Sequence, residues 1–357
     1  MKTRCAIQPL LKNALRVPLR SLRPLRFKKN PGMTLIELLA VLMIVAMMMA
    51  MSAAVYWQMS QNMKQQGAAG DVDVALRQAR NNAMSSNSPA FVEIDSANHA
   101  LTPWVYKTVG QWHFESKDTF GRTPGAHATA VIRGAAELWK DGKIGKCIYL
   151  KPGGCIDAGN NPDFDLEDGG YLEAYIRPKS ITEGGNGYIF FKEHAYFLNI
   201  TTKMTLEGSA GGSTLRAPDY RLASGRWTKV AFAWDPHSTR ILVDDAIVAI
   251  GKGSVPEVSE HPLLFGLDDG GFVGFIDEVR VMTCARGRTV NLPSASKIDH
   301  TAQPWDAIYF SADGTLDIHH HPGPVSITLT QGTTVRTVTV SMLGLTQREE
   351  VESTVKQ

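Results

Sequence analysis

Residues 30–42 read NPGMTLIELLAVL, from Asn30 to Leu42, and they open a long apolar run with one carboxylate five residues in. From Met33 to Trp57 the chain carries a single charge, Glu37, in 25 residues. As a helix this run spans about 37 Å at 1.5 Å per residue, enough for the hydrocarbon core of a bilayer. Tyr56 and Trp57 close it as interfacial aromatics would. The preceding 32 residues hold nine Lys or Arg and no acid. The positive-inside rule therefore keeps the N-terminus cytoplasmic and sends the body across the membrane. Taking those nine from the formal net charge of +2 leaves −7 on the remainder, which argues against nucleic acid as its partner.

A secretory signal peptide is a poor fit. Ala50–Ala54 offers small residues for cleavage, but the apolar run exceeds a 7–15-residue signal core and begins with an acid. A plain anchor leaves Glu37 unexplained, because an acid in a membrane span needs a partner. The stretch Gly32-Met33-Thr34-Leu35-Ile36-Glu37-Leu38-Leu39 resembles the type IV prepilin signature of pilins and type II secretion pseudopilins. The resemblance implies cleavage after Gly32, methylation of the new amine at Met33, and an assembly role for Glu37. It implies as partners a prepilin peptidase/methyltransferase, other pilin or pseudopilin subunits and the bacterial cytoplasmic membrane, with residence in a pilus or pseudopilus after assembly. Met33 stands where phenylalanine is usual, and the leader is long. A carboxylate one turn from a new amine can neutralise it within its own chain or from a neighbouring subunit.

Beyond Trp57, Val72, Leu76, Ala79 and Ala83 repeat at steps of 4, 3 and 4, which predicts that the helix continues to about Asn87. Gly67 and Gly70 are places for a bend, and Ser88-Pro89 is a stop. Strands are predicted at Phe91–Asp95, Trp104–Tyr106, Ala307–Phe310, Val325–Leu329 and Val335–Val340, with turns at Asp313-Gly314 and Gln331-Gly332. Residues 33–108 and 303–347 resemble FimT-like and H-type minor pseudopilins.

Residues 111–284 have another texture, of short strands and glycine turns. Gly142–Leu150, Gly225–Trp234 with Arg240–Asp244, and Gly274–Val281, after an opening Trp112-His113-Phe114, resemble the laminin-G-like (concanavalin-like) jelly rolls. Trp227, Val230, Phe232 and Trp234 are expected to fill its core. The fold class is α+β: a long N-terminal pilin helix packed on a small antiparallel sheet, interrupted by an all-β jelly-roll sandwich. The expected order is leader 1–32, membrane or filament-core helix 33–57, helix continuation and first strands 58–110, jelly roll 111–284, linker 285–302, last strands 303–347 and polar tail 348–357.

No nucleophile–base motif stands out, and the chain reads as no enzyme. Glu93-Ile94-Asp95 lies outside the sandwich, and Asp277-Glu278 are adjacent residues that alternate across a strand. Asp157, Asn160, Asn161, Asp163 and Asp165, with Asp268 and Asp269, make oxygen-rich loops that suit Ca²⁺, the one possible cofactor, or simple Asx turns. His319-His320-His321 reads as a polar hairpin loop. Cys147, Cys155 and Cys284 allow one disulfide, which an extracytoplasmic compartment permits, or three buried thiols. The leading expectation is a minor pilin or pseudopilin that displays a glycan- or protein-binding sandwich. The alternative is a membrane-anchored laminin-G-like adhesin that never assembles.

Overall fold

The computed structural model describes residues 34–115, 119–120, 129–181, 187–267, 271–294, 296–331 and 334–352. One helix, Leu35–Ser86, starts the described chain, which divides after Gln58 into two units. In the first unit the side chains from Leu35 to Trp57 that are described are exposed, and Leu35–Trp57 is long and apolar enough to cross a membrane.

In the second unit the expected stripe is the buried face. Val72, Leu76, Ala79 and Ala83 are fully buried, joined by Ala68 and Ala69. They pack on Val92, Ile94, Leu101, Ile308 and Phe310 of one sheet and on Val325, Ile327, Leu329, Val338 and Val340 of another. The first sheet is antiparallel: Ala90–Asp95 lies between Ala307–Phe310 and the start of Ala100–Trp112. The second runs Lys297–His300, Val325–Gln331, Thr334–Val340, Thr346–Glu352. Gly67 and Gly70 lie within the helix, neither at a positive φ. Asn87, in the left-handed region at φ 47, ends it. Arg280 donates to the exposed carbonyls of Ser86 and Asn87 at 3.4 and 3.3 Å.

Two expected boundaries are corrected. The linker 285–302 contains the strands Val290–Asn291 and Lys297–His300, the latter paired with Val325–Gln331. The strand Thr346–Glu352 crosses the expected boundary at 347 into the polar tail and pairs with Thr334–Val340. That strand stays attached because Asp73, buried on the helix, accepts bonds from Thr346 and Arg348 as well as from Arg77 at 2.8 Å. Burial opposes the Asp73 charge, but these donors win and hold its carboxyl below the usual range.

The sandwich is entered and left through one ladder. Ala100–Trp112 runs out of the first sheet, and Phe272–Arg286 returns beside it from Val279↔Trp112 to Arg286↔Trp104. One sheet continues through Gly170–Ile181, Thr228–Trp234, Ser238–Val243 and Ala246–Lys252. The other holds Thr129–Trp139, Cys147–Asp157, Leu263–Gly266, Gly187–Lys192, Tyr196–Ile200, Leu206–Ala210 and Ser213–Ala217. Between them lie Trp112, Phe164, Phe190, Phe232, Trp234 and Phe265 with their aliphatic neighbours. The fold is therefore a helix on small antiparallel sheets, interrupted by a jelly-roll-type β-sandwich.

Candidate functional site

The helix begins with a reciprocal cap. Thr34 donates to Glu37 Oε2 from its backbone N–H at 3.0 Å and from its hydroxyl at 3.1 Å, and the Glu37 N–H returns a bond to Thr34 Oγ1 at 3.4 Å. This is a Thr-x-x-Glu capping box, which satisfies donors that the first turn leaves open. The sequence shows the spacing, although membrane burial draws attention to the charge instead. Gly32 and Met33 lie outside the described residues.

The oxygen-rich loop of the sandwich already surrounds a cation, the Lys192 ammonium. The Lys192 side chain is fully buried, and its Nζ donates to His261 O at 2.7 Å and Asn160 Oδ1 at 3.0 Å, with Asp165 Oδ1 at 3.3 Å. The other candidates have separate tasks. Asp157 accepts from the Gly159 N–H at 2.7 Å and pairs with Arg133 at 2.5 Å. Asn161 caps the short turn Pro162–Phe164 through the N–H of Asp163. Asp163 itself is exposed. Asp268 and Asp269 lie outside the described residues. Lys192 is 27 residues from Asp165 and carries no local signal that it reaches that loop.

Trp227 is not in the core, contrary to expectation. It precedes Thr228–Trp234 and lies half-buried on the outer face. There Phe275 is stacked on Tyr149 with centroids 4.7 Å apart, and Trp139 and Trp227 stand 5.9 and 6.3 Å from Phe275. Cations cover these rings: Arg177 lies 4.1 Å from the Phe275 centroid and Lys179 4.4 Å from that of Tyr149. Lys151 lies 5.4 Å from Tyr149 and pairs with Glu137 at 2.8 Å. Trp139, 37% exposed, is more accessible than the half-buried Trp227 and Tyr149 or the buried Phe275. The result is a basic aromatic platform built from four neighbouring strands and one loop.

The acid pairs are structural. Asp277 accepts from the backbone N–H groups of Lys143, Ile144 and Glu278 at 2.7, 3.0 and 2.9 Å, pinning the turn whose Gly145 needs φ 62. Burial outweighs those bonds and pushes its carboxyl up to about 6. Glu278 pairs with His113 at 2.7 Å. Glu93 accepts from Trp104 Nε1 at 2.9 Å and faces His237 at 3.4 Å.

The outer face of the sheet that holds Gly170–Ile181 and Thr228–Trp234 packs, at its Tyr171 end, on the first sheet of the helix-bearing part. Phe91, Tyr106 and Tyr309 meet Tyr171, Ala231, Ala233, Met282 and Cys284 there. A buried polar group sits in the same seam: Arg240 bonds Asp235 and the Tyr106 hydroxyl, both at 2.8 Å, and the Tyr309 hydroxyl donates to Asp235 at 2.8 Å. The histidine tract is part of it rather than a polar hairpin loop. His320 stacks on Tyr309 at 3.8 Å, and His321 Nε2 accepts the Tyr309 N–H at 3.0 Å. Burial, reinforced by the nearby His320, lowers His321 to about 4. Asp317 turns the chain so that two of three consecutive histidines point inward, accepting the N–H groups of His319 and His320.

Of the two alternatives for the described cysteines, the structure has three buried free thiols. Cys147 and Cys155 lie at opposite ends of the strand Cys147–Asp157, about 26 Å apart at strand rise. Cys284 is buried in the seam. Burial, with the charge of Asp277, pushes the Cys147 thiol up to about 12.

Residues 27–53 match the prokaryotic N-terminal methylation motif, and residues 156–289 match the concanavalin A-like lectin/glucanases superfamily. No curated protein matches the chain. Domain 4 of AbnA, an extracellular arabinanase from Geobacillus stearothermophilus, solved with arabinotriose, is 17% identical with a TM-score of 0.42. It covers 50% of this chain and 93% of its own. The binding domain of Paraclostridial Mosquitocidal Protein 1 is 10% identical with a TM-score of 0.42, covering 65% and 70%. The botulinum neurotoxin serotype G binding domain is 10% identical with a TM-score of 0.38, covering 49% and 47%. By the two family matches, the start of the chain is type IV prepilin-like and its sandwich is concanavalin-like.

Proposed function

We propose that this chain is a minor pilin or pseudopilin that displays a glycan-binding sandwich. The observation that carries the reading is the Thr34–Glu37 cap, which lies inside the methylation-motif match and opens a helix of membrane-spanning length. Cleavage after Gly32 by a prepilin peptidase makes the amine of Met33 the new terminus, which the same enzyme methylates. Glu37 is turned back toward that terminus, one turn away. In a low-dielectric setting the pair is strongly favoured over two separate charges. It neutralises the helix start in the bacterial cytoplasmic membrane, with the N-terminus cytoplasmic and the body outside. A neighbouring subunit's amine is the alternative partner once the chain joins a type II secretion-like or type IV pilus-like filament.

Trp139 and the half-buried Tyr149, set in place by the buried Phe275, supply stacking faces for sugar rings, and Lys151 and Lys179 supply donors for their oxygens. Glu37→Ala tests the assembly half. The variant should insert and be processed yet be missing from sheared filaments that contain the wild type. Absence of the wild type from filaments would instead leave a membrane-anchored adhesin. Glycan-array binding that survives Trp139→Ala would remove the platform from the account.

A further inference from the structure

At one rim of the sandwich two histidines and a glutamate converge. Glu193 Oε2 is 3.1 Å from His261 Nδ1, Glu193 Oε1 is 3.7 Å from His194 Nε2, and the imidazole centroids are 5.4 Å apart. One ligand atom from each residue lies within 4.8 Å of the others. We propose that Glu193, His194 and His261 form a surface site for a divalent transition-metal ion of the zinc class.

The donor set points to the metal. Two imidazoles and one carboxylate suit Zn²⁺ and its first-row neighbours, whereas Ca²⁺ takes six to eight oxygens. Tetrahedral zinc with bonds near 2.0–2.1 Å places neighbouring ligand atoms about 3.3 Å apart. The Glu193–His261 pair has nearly that spacing, and the His194 side chain, 77% exposed, has room to close the rest by rotation. Three protein ligands leave a fourth position for water or for an oxygen of a bound ligand, as in open zinc sites.

The backbone beneath the cluster is held in place independently of the three side chains. Ser259, buried, donates its hydroxyl to Glu193 O at 2.6 Å and accepts the His261 N–H at 3.3 Å. Lys192, at the foot of the turn that carries Glu193 and His194, donates to His261 O at 2.7 Å. The turn closes through Ala195 N–H to Lys192 O at 3.1 Å, with His194 at φ 62. Two segments nearly 70 residues apart are thereby clamped through backbone atoms, as a preorganised site requires. The Lys192 ammonium beneath the turn is engaged by Asp165.

The test uses the purified full chain in detergent, stripped with EDTA, and titrated with Zn²⁺ by calorimetry and with Co²⁺ by visible absorption. One high-affinity site per chain is expected, with the intense visible bands of four-coordinate Co²⁺. His194→Ala and His261→Ala should each weaken it by more than about tenfold while leaving melting without metal unchanged, since the clamp uses backbone atoms. Equal affinity in both variants would place the metal on other histidines and overturn the proposal, as would no saturable binding in the wild type. If a variant melts early, Glu193→Gln, which keeps shape and hydrogen bonding, decides by the same loss of affinity or its absence.

Discussion

Replacing Lys192 with methionine removes the ammonium that three oxygens of the sandwich rim surround. The side chain is fully buried and Asp165 is 14% exposed, so the variant leaves a largely desolvated carboxylate without its partner. Removing one member of a buried ion pair costs about 3–5 kcal/mol. Asp165 keeps an N–H bond from Ser259 at 3.4 Å and some contact with water, which places the expected loss near the lower end, about 3 kcal/mol. The orphaned Asn160 Oδ1 and His261 O add to it. Urea unfolding of the detergent-solubilised chain, followed by tryptophan fluorescence, measures the loss. The double variant Lys192→Met/Asp165→Asn should be more stable than Lys192→Met alone, because it removes the unpaired charge. A loss under about 1 kcal/mol in the single variant, or simple additivity in the double, would refute the role given to this ammonium.

Acidification should loosen the seam. His321 is lowered to about 4 from its ordinary 6.5, so the unfolded chain takes up its proton first. The stabilising contribution is therefore full above pH 6.5 and is lost as pH falls to 4, roughly 3 kcal/mol in all. Unfolding curves at steps from pH 7 to 4 check this, and a slope unchanged by His321→Asn would contradict it. Asp277→Ala should cost roughly 2–4 kcal/mol by leaving three backbone N–H groups unpaired, read as a lower urea midpoint. Thr34→Ala should cost about 1 kcal/mol of local helix stability, seen as faster amide exchange at Leu35 and Ile36 in micelles, with Thr34→Ser nearly silent.

The parts of this fold that were legible were those with a period. The stripe Val72–Leu76–Ala79–Ala83 and the alternating strands around Phe91 and Val335 declare their buried faces locally. Three stretches sufficed for the sandwich because its end strands repeat a dense apolar pattern. Trp227 lies outside because Val230, Phe232 and Trp234 face the core, and alternation along the strand direction turns the odd position 227 to the opposite face. Lys192, Asp73 and Arg240 were not legible. Lys192 and Asp73 meet charges from distant segments, and Arg240 pairs with the nearby Asp235 only where Tyr106 and Tyr309 bury both, so only the folded chain shows that burial is compensated. The histidine tract has a loop's local pattern for the same reason, since Ser238 and Tyr309 supply what His320 and His321 need. Lys297–His300 and Thr346–Glu352 are short or polar strands that only their neighbours stabilise.

The central claim is that a peptidase makes the functional N-terminus of this chain and that Glu37 is positioned for it. Intact-mass and peptide mass spectrometry of the chain purified from bacterial membranes tests it directly. The account predicts a mature chain beginning at N-methylated Met33, with Gly32 and everything before it gone. A chain that begins at Met1, or one cut near Ala53 after the apolar run, would contradict it.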